Sequence, residues 1–142
     1  MDTQYIRAFF DQRAARWDET CHHDPNRISA IAALAQVHPG DRVLDIACGT
    51  GVFIPQLLRY EPASVLGIDF SAEMIRCAKE KLSDPRVRLE AMDLFDLTET
   101  GFDIATIYSA YPHFPDKAAR VETRFSLLRP GGRLAVITFH SL

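Results

Sequence analysis

The amino-acid sequence predicts an α/β fold built on a doubly wound sheet whose strands lie in the order 3-2-1-4-5. A short apolar run that ends in an acid leads into Gly-Thr-Gly and then into an amphipathic segment, over residues 42–60. Strand, tight glycine turn and helix in that order are typical of the first unit of such a sheet. Further runs of strand length alternate with helical periodicity downstream, which favours right-handed crossovers between parallel strands.

The composition is that of one soluble globular domain. The chain has 142 residues, of which 47% are hydrophobic and 25% are charged, and these values are ordinary for a globular protein. No apolar run approaches the roughly 18 residues of a membrane helix, and residues 1–11 do not resemble a signal peptide. These features predict a cytoplasmic protein without a membrane span. The net charge of −3 disfavours a nucleic-acid partner.

Two amphipathic helices precede the first strand. They are predicted over Thr3–Trp17 and Asn26–Val37, where apolar residues recur at helical spacing. The polar connector between them holds Cys, His, His and Asp side by side at residues 21–24. Adjacent loop residues rarely converge on one ion, and no second ligand cluster is obvious. The sequence therefore predicts no metal site.

The first strand, Arg42–Ile46, leads into residues 47–51, which we call the glycine turn. Gly49 and Gly51 let the backbone turn sharply and approach a ligand without a Cβ in the way. The N–H groups that open the next helix face the same ligand. Asp45, at the carboxyl end of the strand, suits a ligand that carries positive charge better than a pyrophosphate.

The remaining elements follow from apolar periodicity and from the Gly and Pro residues between them. In chain order they are the helix Val52–Tyr60, the strand Ser64–Asp69, a helix capped by Ser71, the strands Val87–Glu90 and Phe102–Tyr108, the helix Pro115–Arg129 and the strand Arg133–Phe139.

Asp69 ends the second strand, 18 residues after Gly51. From that position a carboxylate accepts hydrogen bonds from the ribose hydroxyls of an adenosine ligand. The alternative is a charge that only stabilises the start of the following helix. The ribose interpretation is favoured because Ser71 can already cap that helix.

The motif Val-Leu-Asp-Ile-Ala-Cys-Gly-Thr-Gly at residues 43–51 resembles motif I of the class I S-adenosylmethionine (SAM) dependent methyltransferases. The similarity is greatest to their ubiquinone/menaquinone C-methyltransferase-like branch, which the opening residues 9–18 and the Leu-x-Pro-Gly-Gly turn at residues 128–132 also resemble. The resemblance implies one Rossmann-like, mostly parallel domain, with a helical cap at 1–38, a core at 39–142 and the family's strands six and seven absent. The helix near the N-terminus would then serve as a cofactor lid or simply pack on the domain.

The resemblance implies SAM as the cofactor and S-adenosylhomocysteine (SAH) as its product. Asp45 would hold the methionine part, Asp69 the ribose and Asp93 the adenine amino group, with Asp96 as a competitor of Asp93. The complete set of implied cofactor contacts is Asp45, Ala47, Gly49, Thr50, Gly51, Asp69, Phe70, Met74, Met92, Asp93, Leu94 and Ser109. Ala47 stands where many members carry the first glycine of the motif, and Met74 is also expected in the core.

The loop after the fourth strand holds the candidates for the reaction centre, because ligands lie outside the carboxyl ends of the strands. His113 and Tyr111 are the catalytic candidates, and the imidazole of His113 is a base at neutral pH. Tyr108 and one of the histidines His22 and His23 are expected to face a small-molecule acceptor. The structural alternative is that the aromatic and proline residues only shape the loop.

Three alternative functions stay open from the sequence. An NAD-dependent oxidoreductase is one alternative, but its Gly-x-Gly-x-x-Gly motif requires a third glycine at the position of Ile54. A truncated or non-catalytic SAM-binding module would bind the cofactor without turnover. Residues 131–142 resemble a stretch of the bacterial ribosomal-RNA cytosine-N4 methyltransferases, although the acidic charge balance disfavours that substrate. The fifth strand would be a bare sheet edge, which favours a homodimer.

Overall fold

The computed structural model describes residues 7–8, 11–12, 14, 25–109 and 125–138, and its centre is a parallel sheet. The strands are β1 (Arg42–Ile46), β2 (Ser64–Asp69), β3 (Val87–Ala91), β4 (Phe102–Ser109) and β5 (Leu128–Thr138). They lie in the order β3-β2-β1-β4-β5, and each neighbouring pair is parallel. The predicted fold class and strand order are confirmed.

β1 lies in the middle of the sheet, between β2 and β4. Its register places Asp45 opposite Gly67 of β2 and opposite Thr106 of β4. Because the strands run the same way, their carboxyl ends meet at one edge of the sheet, which is where open α/β sheets bind ligands. The glycine turn after β1 and the start of the helix after β2 therefore lie at the same edge as the carboxyl end of β4.

The described helices are α1 (Pro25–Ala35), α2 (Ile54–Leu58) and α3 (Ala72–Lys81), with single 3-10 turns at Leu94–Asp96 and Phe125–Leu127. None of these helices is long and apolar enough to cross a membrane. α1 ends two residues before the prediction, because the next residue adopts a left-handed φ of 58°. The predicted start of α3 is confirmed, since the Ser71 side chain accepts a hydrogen bond from the backbone N–H of Met74.

α2 is shorter than the predicted helix Val52–Tyr60. At its start the chain is still in a turn, where Ile54 N donates to the carbonyl of Gly51 at 3.2 Å. At its end, Glu61 adopts a left-handed φ of 59° and precedes Pro62, a position that disfavours helix. The helix between these two breaks has five residues, Ile54–Leu58.

The apolar side chains form one cluster on each face of the sheet. Alternate residues of β1 point to opposite faces, so that Val43 belongs to one cluster and Leu44 to the other. The first cluster joins the sheet to all three helices through buried side chains, namely Ile28, Ala32, Ile54, Leu57, Ile75 and Ala78. The apolar helix faces expected from periodicity are thus confirmed for α1, α2 and α3.

The predicted boundary between the last helix and the fifth strand is wrong. Residues 125–127 form a 3-10 turn and β5 already begins at Leu128, which pairs with Phe102 of β4. The register then shifts, so that Arg133 is the partner of Ile104. The Pro-Gly-Gly segment lies inside β5 as an irregularity, because pairing with β4 overrides the local turn signal. Residues 115–124 of the predicted helix and Phe139 lie outside the described residues.

Replacing Gly67 with alanine is expected to lower the free energy of unfolding by about 1–3 kcal/mol, the usual cost of overpacking a core. A Cβ there would stand 2.8 Å from Leu89 Cδ2, 3.0 Å from Ile54 Cδ1 and 3.1 Å from Cys48 Sγ. Urea denaturation measures the change. In a Leu89→Ala background the same substitution should cost less, because its nearest neighbour is gone. An unchanged urea midpoint in the single variant would contradict the packing.

Candidate functional site

The glycine turn lies over the carboxyl end of β1 and is fastened to β2. Cys48 N donates to the carbonyl of Ile68 at 2.9 Å, and Gly51 N donates to the carbonyl of Cys48 at 2.9 Å. Ala47, Gly49 and Gly51 adopt left-handed φ values of 57°, 57° and 81°. Alternating conformations of this kind turn backbone N–H groups towards one side, as anion- and ligand-binding loops do. Ala47 holds the conformation at some strain, since it carries a Cβ.

The two glycines of the turn have different surroundings. A Cβ on Gly51 would stand 2.7 Å from Leu82 Cδ1 and 3.4 Å from Ala78 Cβ, so this glycine lets the turn pack on α3. A Cβ on Gly49 would meet no atom of the described residues within 4 Å. The described residues therefore leave the backbone of Gly49 open to the close approach of a ligand.

Asp69 bridges the glycine turn and the start of α3. Its Oδ2 accepts a hydrogen bond from Gly49 N at 2.9 Å, and its Oδ1 accepts one from Ser71 N at 2.9 Å. Its side chain is 7% exposed. A carboxylate has acceptor positions for about four hydrogen bonds, so these two contacts are compatible with further donors. Asp69 therefore has the structural role considered as the alternative, and its role as the ribose acceptor stays a prediction.

Asp45 is a buried carboxyl below the turn. It is 1% exposed, and its Oδ1 accepts a hydrogen bond from Thr106 Oγ1 at 2.8 Å. Its Oδ2 is buried without a hydrogen-bond partner among the described residues. Burial, opposed by the Thr106 hydrogen bond and assisted by the charge of Asp69, raises the pKa of Asp45 from 3.8 to about 7. An uncompensated buried oxygen of this kind is typical of a position that receives a ligand group.

The segment after β3 carries the residues predicted to hold the adenine. Met92 N donates to the carbonyl of Asp69 at 2.9 Å, which holds this segment beside β2. Asp93 caps the following 3-10 turn and accepts a hydrogen bond from Phe95 N at 3.0 Å. Met92 and Leu94 are half-buried against the second core cluster, whereas Asp96 is exposed. The choice of Asp93 over Asp96 as the adenine acceptor stays a prediction.

The other expected cofactor contacts differ in accessibility. Met74 is 1% exposed and Thr50 is 2% exposed, whereas Phe70 is half-buried. Met74 is thus a core residue, as expected. Ser109 is the last residue of β4 and pairs with Thr138.

The catalytic candidates Tyr111 and His113 lie outside the described residues, as do His22 and His23, so their roles stay predictions. Tyr108 is described and half-buried, and its ring stacks on that of Phe53, with 5.1 Å between centroids and 15° between planes. Within the described ranges, no three His, Cys, Asp or Glu side chains are grouped as a metal site would require.

Sequence reasoning missed two partnerships at this site. The Asp45–Thr106 hydrogen bond joins residues 61 positions apart. The Phe53–Tyr108 stack joins the residue before α2 to strand β4. Aligning β4 beside β1 would have placed Thr106 opposite Asp45. The sequence alone holds no comparable signal for the aromatic stack.

A profile of the methyltransferase domain family matches residues 43–132, which is more than half of the chain and contains the glycine turn, Asp69 and Asp93. The chain belongs to the SAM-dependent methyltransferase family. This methyltransferase domain is 34% identical to the demethylmenaquinone methyltransferase of Lactiplantibacillus plantarum over 115 residues, which cover 73% of the chain and 48% of the relative. It is 30% identical to the ubiquinone biosynthesis O-methyltransferase of Alkalilimnicola ehrlichii, with coverages of 94% and 58%.

The methyltransferase domain is also similar to a solved complex of DhpI with SAH. The TM-score is 0.74 at 26% identity, and the similarity covers 95% of this chain and 68% of the DhpI chain. This methyltransferase domain spans about half the length of the curated relatives that it matches. The resemblance seen in the sequence is confirmed.

Proposed function

We propose that this chain binds SAM at the carboxyl ends of β1 and β2 and transfers its methyl group to a small-molecule acceptor. The observation that carries the proposal is the buried Oδ2 of Asp45, which has no hydrogen-bond partner among the described residues and lies four residues before Gly49, where those residues leave the backbone accessible. A carboxyl in this place fits the ammonium group of the methionine part of SAM. It would repel a pyrophosphate, which disfavours the NAD-dependent alternative.

Two further carboxylates bind the ribose and the adenine of the cofactor. Asp69, which is fixed by two backbone N–H groups, accepts hydrogen bonds from the ribose hydroxyls. Asp93, which is fixed by Phe95 N, accepts a hydrogen bond from the adenine amino group, and Met92 and Leu94 lie beside the ring. Because these carboxylates are held by backbone hydrogen bonds, they lose little conformational entropy when they bind.

When bound, SAM supplies an electrophilic methyl group on a sulfonium. The residues of the chain then have to hold the acceptor in line and to exclude water. Tyr108 stands at the carboxyl end of β4, and its stacking on Phe53 makes it a rigid wall for the acceptor. A general base is needed only for an acceptor that must lose a proton, and Tyr111 and His113 are our candidates for that step.

We infer a ring-bearing small molecule as the acceptor class. Two curated relatives are named for demethylmenaquinone and for ubiquinone biosynthesis, and the half-buried aromatic ring of Tyr108 is suited to stacking on a ring. The net charge of −3 supports a small molecule over an RNA, which disfavours the ribosomal-RNA alternative.

Calorimetric titration of SAM, SAH and NADH into the purified chain tests the cofactor. We expect binding of SAM and SAH and none of NADH. Preference for NADH would end the proposal. Mass spectrometry of acceptor panels, incubated with methyl-labelled SAM, then tests transfer, beginning with hydroxylated quinone precursors. Binding of SAM without any transfer across the panel would favour the non-catalytic module.

A further inference from the structure

A chain of hydrogen bonds runs from the N-terminal segment to the glycine turn. Asp11 Oδ1 accepts a hydrogen bond from Ser71 Oγ, in a contact that joins residues 60 positions apart. Ser71 N donates to Asp69 Oδ1 at 2.9 Å, and Gly49 N donates to Asp69 Oδ2 at 2.9 Å. Asp11 is thus connected with the candidate ribose acceptor through one serine.

Ser71 is the centre of this chain. It is fully buried, and its Oγ also accepts a hydrogen bond from Met74 N at 3.2 Å, so the hydroxyl is both a donor and a helix cap. The hydrogen bonds from Met74 N to the Ser71 hydroxyl and from that hydroxyl to Asp11 stand in series and strengthen one another, and a carboxylate accepts the last of them. Removal of the carboxylate weakens the Met74 cap, because the hydroxyl then loses its fixed direction, and Ser71, whose backbone N–H donates to Asp69, is held less firmly.

The carboxylate of Asp11 also lies close to the N-terminus of α3. Its Oδ1 lies 3.5 Å from the backbone N of Glu73, and a negative charge is favourable at the start of a helix. Ala14, three residues further along the segment, is 2% exposed. The side chain of Asp11 therefore lies on a packed part of the segment, at the end of α3 that borders Asp69.

We propose that Asp11 is a positioning residue for the cofactor, which acts through the Ser71 hydroxyl to keep Asp69 and the start of α3 in the arrangement that receives the ribose. The inference rests on the proposed function, because it concerns the same cofactor site. It assigns no contact between Asp11 and the cofactor. Its consequence is that the N-terminal segment and the ribose acceptor are thermodynamically coupled.

A double-mutant cycle on SAH affinity tests the coupling. Calorimetry on wild type, Asp11→Ala, Ser71→Ala and the double variant gives the four affinities, and Gln12→Ala, an exposed neighbour on the same segment, is the matched control. We expect Asp11→Ala to weaken SAH binding about 10-fold, as for one hydrogen bond to a charged group. The double variant should bind no more weakly than Ser71→Ala, within about twofold, because both changes break the same series.

A purely structural role for Asp11 would give a different pattern. In that case Asp11→Ala would lower the melting temperature of the ligand-free chain and leave the SAH affinity within about twofold of wild type, which would overturn the inference. Additive losses in the double variant would overturn it as well. Ser71→Thr keeps the hydroxyl and the cap, so it should restore most of the affinity that Ser71→Ala loses. If wild type and Gln12→Ala both fail to bind SAH, the proposed function itself is wrong.

Discussion

Asp69→Ala is expected to weaken SAH binding by at least about 100-fold, because each hydrogen bond to a charged group is worth about 1.5–3 kcal/mol and two ribose hydroxyls lose their acceptor. The same change leaves the N–H groups of Gly49 and Ser71 without their acceptor. We therefore also expect the free energy of unfolding to fall by about 1–3 kcal/mol. Calorimetry and urea denaturation measure the two effects separately.

Asp84→Ala is the matched control for this variant. Asp84 also accepts a hydrogen bond from a backbone N–H two residues ahead, that of Arg86 at 2.8 Å, but it precedes the amino end of β3. The Asp84→Ala variant should lose stability and keep the SAH affinity of wild type. If Asp69→Ala bound SAH as tightly as this control does, Asp69 would have only its structural role.

The pH dependence of stability is the second large effect, and Asp45 is its source. The pKa of Asp45 is raised from 3.8 to about 7 in the folded chain, so between these values the folded state keeps a proton that the unfolded state has lost. Stability must therefore fall as the pH rises from about 4 to about 7, by about 4 kcal/mol in all, and stay level above that. Urea denaturation at a series of pH values measures this fall.

The control for this pH dependence is Asp45→Asn, which cannot ionise. Its stability should vary little between pH 4 and pH 7, so that its advantage over wild type grows across that range. The Arg86 hydrogen bonds lower the pKa of Asp84 to about 2, so its stabilising effect is lost only below about pH 4 and lies outside this range. Parallel pH profiles for wild type and Asp45→Asn would show that Asp45 ionises without cost.

Cofactor binding should be coupled to the same proton. An ammonium group placed against the unpartnered Oδ2 favours the carboxylate form of Asp45, so binding at pH 6 should release close to one proton from wild type. Calorimetric titration of SAH in two buffers of different ionisation enthalpy counts the protons released. Asp45→Asn should release none. Equal proton counts in the two proteins would place the ammonium group elsewhere.

The parts that sequence predicts best are those where one local signal is sufficient. β1 and β2 begin and end at the predicted residues, because each is a short buried run between turn residues. The glycine turn is predicted equally well, because the Gly-Thr-Gly motif alone indicates a sharp turn, and Gly49 and Gly51 have the left-handed φ values that such a turn requires. The start of β5 is different, because Leu128 becomes a strand residue through pairing with Phe102, 26 positions earlier. No local pattern contains that information.

At the candidate site, too, some features follow from local sequence signals and others depend on long-range contacts. The identities of Asp45, Asp69 and Asp93 follow from strand ends, because parallel strands bring those ends to one edge. Their environments do not follow from strand ends. The Thr106 hydrogen bond, the two backbone donors on Asp69 and the Asp11–Ser71 contact all join residues that are distant in sequence or depend on the path of a loop. These contacts determine the ionisation and rigidity on which the proposed chemistry depends.

The ion pairs have a consequence for how ligands arrive. Arg42 and Arg88 lie near the amino ends of β1 and β3, and Arg133 lies on β5 opposite Ile104, near the amino end of β4. Glu99 pairs with the first two arginines and Asp41 with the third. The acids Asp45, Asp69 and Asp93 stand at the opposite edge of the sheet. Above about pH 7, where Asp45 is ionised, these acids attract cationic ligands to the carboxyl edge and slow the approach of anionic ones, most strongly at low ionic strength. Selection between a sulfonium cofactor and a dinucleotide thus begins during diffusion, before either ligand touches the glycine turn.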